Sequence, residues 1–119
     1  MIEQLLKMIT CGYDGLVREI HFPSLNEASI TISAMHQARG EWVNIRFAFS
    51  GLVEFTVRQQ IHTSSIVLSN GIFYQKIKDV HYLDFSPYSE QMGSMDDLRM
   101  SDLFFAAKHI AYNIRPYSE

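Results

Sequence analysis

Residues 41–49 read EWVNIRFAF, and their side chains alternate between apolar and polar character. Four apolar side chains form a stripe that would face a core: Val43, Ile45, Phe47 and Phe49. Three side chains share the opposite stripe: Trp42, Asn44 and Arg46. A period of two is typical of a β-strand with one buried face. The segment therefore predicts a strand in the middle of an antiparallel sheet.

The same alternation recurs on both sides of this segment. Residues 16–22, 29–36 and 80–85 each predict a strand, and the second of them is expected to have one face in water. After Ser50-Gly51 the alternation resumes as far as Val57. The sequence allows either a hairpin turn at Ser50-Gly51 or one long strand with a bulge at Gly51.

An Asn-Gly pair predicts a further hairpin. Residues 65–68 and 72–76 flank Ser69-Asn70-Gly71. Asn-Gly readily supplies the two positive φ angles of a type I′ turn. We therefore expect these two segments to pair with each other.

The two ends of the chain complete the predicted fold. Within the first ten residues, apolar side chains recur at helical spacing, and Gly12 is a suitable residue to end the helix. Residues 101–115 fit either a helix capped by Ser101-Asp102 or a strand, and we favour a short capped turn near 96–101 followed by a strand. The sequence thus predicts one α+β, β-dominated domain over residues 1–119. Its short N-terminal helix packs on a single antiparallel meander of about six strands, and its last element is a strand or a short helix.

Composition limits the functional classes. The 119 residues are 47% hydrophobic and carry a net charge of −3, which argues against a dedicated nucleic-acid-binding protein. The single cysteine, Cys11, cannot form an internal disulfide, which fits a reducing compartment. The sequence contains neither the basic start of a signal peptide nor the run of about 18 apolar residues that a membrane helix needs. We expect a cytoplasmic protein without a membrane partner.

Motifs for catalysis, metal binding or cofactor binding are not found in the sequence. The five histidines lack zinc-site spacing, and no phosphate-binding loop or nucleophile elbow occurs. The sequence therefore predicts a protein that is not an enzyme and has no catalytic residue, metal or cofactor. An alternative is a small-molecule-binding or enzymatic pocket in a curved sheet, with His36, His81 and Tyr82 as its polar groups.

Acidic residues are concentrated in residues 84–102, which we call the acidic segment. It contains five carboxylates and one arginine, a net charge of −4, which leaves +1 for the rest of the chain. Carboxylates steer basic partners, and tyrosine offers adaptable contact area. The partner-binding residues predicted here are Asp84, Tyr88, Glu90, Asp96, Asp97 and Asp102. Trp42 and Arg46 are a second candidate group, because tryptophan and arginine are frequent at binding hot spots.

Three stretches give the sequence a family resemblance: residues 41–47 (EWVNIRF), 81–88 (HYLDFSPY) and 96–102 (DDLRMSD). Together they cover 22 of the 119 residues, just under a fifth of the chain. The sequence resembles the small cytoplasmic immunity proteins that bacteria encode beside toxins of contact-dependent growth inhibition and other polymorphic toxin systems. The resemblance implies a non-enzymatic protein that binds and neutralises a basic toxin domain, often a nuclease, through an acidic surface. A homodimer joined through edge strands is a further alternative.

Overall fold

The computed structural model describes residues 2–58, 67–87 and 101–118. In chain order the elements are α1 (Ile2–Met8), a 3₁₀ turn (Thr10–Gly12), β1 (Leu16–Ser24), β2 (Glu27–His36), β3 (Glu41–Val57), β4 (Phe73–Ile77), β5 (Val80–Asp84) and β6 (Leu103–Pro116). The predicted β-dominated α+β class, with a short N-terminal helix on an antiparallel sheet, is confirmed. Among the described residues, no helix is both long and apolar enough to cross a membrane.

The six strands form one sheet in the order β1-β2-β3-β6-β5-β4, and every neighbouring pair is antiparallel. Two three-stranded meanders, β1–β3 and β4–β6, are thus joined where β6 pairs with β3. A single sequential meander would have placed β4 beside β3. Instead the last strand takes that place, because residues 103–107 are all buried and belong in the middle of the sheet.

The core lies on one face of this sheet. Ile2, Leu5 and Leu6 of α1 join the apolar stripe of β3 in a single buried cluster. A helix of seven residues is unstable alone, so this apolar contact is what stabilises it. The face that α1 covers is called the core face below, and the opposite face is called the outer face.

β3 is one strand of 17 residues, which matches the second of the two interpretations of Ser50-Gly51. Gly51 has φ of 64°, a value that favours glycine, and the register against β6 shifts between Leu52 and Glu54. Beyond this bulge the apolar stripe no longer reaches the core, since Val53, Phe55 and Val57 are exposed.

The predicted Asn-Gly hairpin is wrong for the described residues. Val67 forms an isolated bridge with Leu16, whereas β4 pairs with β5 across a tight turn. Gly71 does turn the chain, with φ of 72°, but a Cβ at this position would lie 2.9 Å from the Cys11 carbonyl oxygen. The Ile72 N–H also donates to that carbonyl at 2.7 Å. The turn therefore packs against the end of the helix instead of joining two paired strands.

The C-terminal element is a strand, β6, as we favoured. Of the turn predicted near 96–101, only Ser101 is among the described residues, and residues 96–100 lie outside them.

Candidate functional site

The outer face of the sheet carries the polar stripe of residues 41–49. Strand register places Arg46 between Thr31 of β2 and Asn113 of β6, and Asn44 between Ser33 and Arg115. Residues directly opposite each other in antiparallel strands share a face. Three neighbouring strands therefore supply one continuous polar surface.

A chain of hydrogen bonds fixes the centre of this surface. The Arg18 Nε donates to the Ser33 Oγ at 2.8 Å, and that hydroxyl donates to the Asn44 Oδ1 at 2.6 Å. The Asn44 amide in turn donates to the Ser118 carbonyl oxygen at 3.0 Å. Residues from β1, β2, β3 and the segment after β6 are thereby held together in defined orientations.

This network explains a further difference from the sequence prediction. The outer face of β2 was expected to lie in water, but Ser29 and Ser33 are buried. Ser33 is covered because the Arg18 and Asn44 side chains close over it with their hydrogen bonds. The prediction of a fully solvated face is therefore wrong for these two positions.

Two aromatic side chains lie at one end of the outer face. The rings of Trp42 and Tyr117 have centroids 6.4 Å apart, and their residues are 39% and 42% exposed. The Arg18 guanidinium donates to the Tyr117 hydroxyl at 2.7 Å, and its Cζ lies 5.4 Å from that ring's centroid. Trp42 is therefore not covered by α1. It forms part of an exposed aromatic pair that an arginine orients.

Two guanidinium groups accompany this aromatic pair. Arg46 and Arg115 are both exposed and line one shallow depression of about 350 Å³ with Thr31, Asn44 and Ser118. Neither forms an ion pair with a residue that the structure describes. Guanidinium groups of this kind favour carboxylate or phosphate oxygens, which they can bind in a bidentate manner.

Asp84 does not belong to an exposed acidic surface, which corrects its place in the predicted site. Its residue is 0% exposed, and its Oδ1 accepts hydrogen bonds from the Ser101 Oγ at 2.6 Å and the Ser86 N–H at 2.9 Å. Its Oδ2 is buried and has no hydrogen-bond partner among the described residues. Burial raises the pKa of Asp84 to about 6, against the lowering effect of the Ser101 and Ser86 hydrogen bonds. This carboxyl group connects the end of β5 to the start of β6.

Six partner-binding residues were predicted in the acidic segment, and Asp102 is the only one besides Asp84 that lies among the described residues. Its Oδ1 lies 3.4 Å from the Arg58 Nε, and its side chain is largely covered. It is located just before β6, near the end of β3 that is remote from Trp42. Tyr88, Glu90, Asp96 and Asp97 lie outside the described residues. The described candidates therefore occupy two separate places, and only Trp42 and Arg46 share one surface.

The residues of the alternative pocket have structural contacts. The His36 Nδ1 accepts a hydrogen bond from the Arg39 N–H at 3.3 Å. The His81 Nδ1 is hydrogen-bonded to the Tyr74 hydroxyl at 2.7 Å. Burial, with Lys76 and His109 nearby, lowers the pKa of His81, and burial raises the pKa of Tyr74. Both groups are thereby kept neutral near pH 7, which suits a packing contact between β4 and β5.

Sequence reasoning missed Arg18, Arg115 and Tyr117. Arg18 lies where the register of β1 shifts against β2, so alternation does not predict its face. Arg115 and Tyr117 join the site only because β6 pairs with β3, and a strand interpretation of residues 103–116 was the signal that could have placed them. Among the described residues, no group of three or more His, Cys, Asp or Glu side chains is arranged to hold a metal ion.

Comparisons of the chain with protein-family models, curated proteins and solved structures find no match.

Proposed function

We propose that this protein is a non-enzymatic, cytoplasmic immunity protein that binds a toxin domain and blocks it by covering its working surface. The observation that supports binding is the exposed group Trp42, Arg46, Arg115 and Tyr117 on the outer face. Tryptophan, tyrosine and arginine are the residue types in which binding energy is most often concentrated. The immunity role itself rests on the resemblance of the three sequence stretches described above.

The outer face is suited to binding because it is already organised. The hydrogen bonds of Arg18, Ser33 and Asn44 restrict the side chains beneath the aromatic pair. A partner then loses less side-chain entropy on binding than it would against a mobile surface. A partner surface with an apolar centre and nearby carboxylates would complement Trp42 and the guanidinium groups of Arg46 and Arg115.

A first test is binding of the toxin domain encoded beside this protein's gene. Trp42→Ala is expected to weaken binding about 30-fold or more, because a buried hot-spot side chain contributes about 2 kcal/mol or more. Arg46→Glu should weaken it further. The measurement is the dissociation constant by isothermal titration calorimetry, with Leu25→Ala as control because Leu25 is 93% exposed in the β1–β2 turn. Unchanged binding by both outer-face variants would contradict the role of this surface.

A second test addresses the acidic segment, which in this proposal steers a basic toxin domain towards the protein. Replacing Asp96, Asp97 and Asp102 by lysine should lower the association rate about tenfold or more at low salt, with a smaller effect at high salt. Stopped-flow fluorescence at several ionic strengths measures the association rate and its dependence on salt. An association rate that neither changes with these substitutions nor depends on salt would exclude electrostatic steering. Because Asp102 also contacts Arg58, an Asp96→Lys, Asp97→Lys variant separates steering from folding.

A further inference from the structure

Within the part of the chain that the structure describes, one side of β6 has a neighbouring strand along only a fraction of its length. β3 pairs with β6 from Leu103 to Pro116, whereas β5 pairs with it only from Phe104 to Ala107. Among the described residues, no strand pairs with residues 108–116 on the side away from β3. These nine residues span about 30 Å. They form an open strand edge, which we call the β6 edge.

The direction of the backbone groups along the β6 edge follows from the hairpin between β2 and β3. The His36 carbonyl oxygen accepts from the Gly40 N–H, so the backbone groups of His36 point towards β3. Backbone groups alternate in direction along a strand, and β2 and β3 pair without a register shift over residues 27–36 and 41–50. The N–H and C=O groups of residues 44, 46, 48 and 50 therefore point to β6, where they meet residues 115, 113, 111 and 109. Those of Ile110, Tyr112 and Ile114 point to the open side.

The charge of the β6 edge has one sign. Lys108 and Arg115 lie along it, and residues 103–116 contain no aspartate or glutamate. On the core face, Tyr112 and Ile114 are more than a third exposed, because β5 does not extend beside them. An added strand would thus find cationic side chains along the edge and apolar side chains on the core face.

We propose that the β6 edge binds an extended, acidic segment of a partner protein, which adds to the sheet as a seventh strand. Main-chain hydrogen bonds to residues 110, 112 and 114 would supply affinity, and alternating side chains would supply selectivity. Acidic side chains would lie beside His109 and Arg115, and apolar ones beside Tyr112 and Ile114. The inference rests on the proposed function only in taking the protein as one that binds a protein partner.

A second copy of the chain suits this edge less well. An antiparallel pair of two β6 strands would bring Lys108 and Arg115 of both copies to one seam, to which residues 103–116 contribute no carboxylate. Like charges placed together in this way are destabilising. Charge complementarity therefore favours an acidic strand over self-association.

Amide hydrogen exchange measured by NMR tests the proposal without any toxin. The probe is a capped nine-residue peptide of alternating valine and glutamate, and the matched probe alternates valine and lysine. With the glutamate peptide, exchange at residues 110, 112 and 114 should slow about tenfold or more, while residues 109, 111, 113 and 115 keep the protection they already have from β3. The lysine peptide should give less protection. Protection of the three outward amides in the free monomer would overturn the proposal, as would their unchanged exchange at saturating glutamate peptide.

Variants of the β6 edge make the test sharper. Tyr112→Pro removes one outward N–H and no bond to β3, so it should weaken binding of the glutamate peptide about tenfold, with Tyr112→Ala as matched control. If the proline variant does not fold, His109→Glu, Arg115→Glu should instead reverse the preference towards the lysine peptide. A concentration-dependent dimer in light scattering, with the same three amides protected, would assign the edge to a second copy and overturn the acidic partner.

Two outcomes distinguish the proposal for the β6 edge from the proposed immunity function. Toxin binding that is lost in Trp42→Ala but unchanged in Tyr112→Pro would leave the proposed function standing and reject the edge as its docking site. Peptide binding without any toxin binding would support the edge and reject the immunity role.

Discussion

Replacing Phe105 with alanine is expected to lower the free energy of unfolding by about 3–5 kcal/mol, the usual range for a buried phenylalanine. Phe105 is 0% exposed in β6 and stacks on Phe49 of β3, with ring centroids 4.8 Å apart. It also lies edge-on to Phe85, at 6.2 Å. Its removal leaves a cavity where the two meanders meet, and neither neighbouring ring can fill it without leaving its own place.

Urea denaturation at constant pH measures this loss. Phe55→Ala is the matched control, because Phe55 is opposite Phe105 in the register but is 42% exposed. Removal of the Phe55 ring should lower the free energy of unfolding by about 1–2 kcal/mol, since much of this side chain is already in contact with water. Equal losses for the two variants would mean that the junction of the meanders is less tightly packed than the structure indicates.

The second large effect is a pH dependence of stability caused by Asp84. Burial raises its pKa from an ordinary value of 3.8 to about 6, so the folded protein binds this proton more tightly than the unfolded chain does. The stabilisation is complete below about pH 4 and is lost as the pH rises through about 6. A rise of this size corresponds to about 3 kcal/mol.

Comparison with Asp84→Asn isolates this group from other titrating residues. The stability of the asparagine variant relative to the natural protein should increase by about 3 kcal/mol between pH 4 and pH 7.5. Ser101→Ala removes a hydrogen bond that lowers this pKa, so it should raise the pKa further and enlarge the total loss of stability. A stability difference that is constant over this pH range would show that Asp84 is better solvated than its burial indicates.

The sequence could predict those parts of the fold that depend on local alternation. The strand at residues 41–49, its two stripes and the helix at the N-terminus all follow from side-chain periodicity. The position of β6 could not be predicted, because pairing of residues 43–57 with 103–116 joins segments far apart in the chain. The Asn-Gly turn was assigned to the wrong pair of strands for a related reason, since its contact with Cys11 is also distant in sequence.

The candidate site shows the same limit. Trp42 and Arg46 were found because they belong to one alternating stripe. Asp84 was included in the predicted partner-binding set because of the charge of its segment, but Ser101 and the start of β6 bury it. The charge of a segment therefore identifies its carboxylates but not which of them reach solvent.

The central position of the last strand also has a consequence during synthesis of the protein. β3 ends at Val57 and β6 begins at Leu103, so a ribosome adding about 5–20 residues per second takes roughly 2–10 s to cover this interval. During that time one edge of β3 is exposed, because β6, the strand that pairs with it in the native sheet, has not yet been synthesised. Such an edge is a template for aggregation between neighbouring nascent chains. We therefore expect the yield of native protein in the cell to depend on chaperones that bind the segment ending with β3 until β6 has been synthesised.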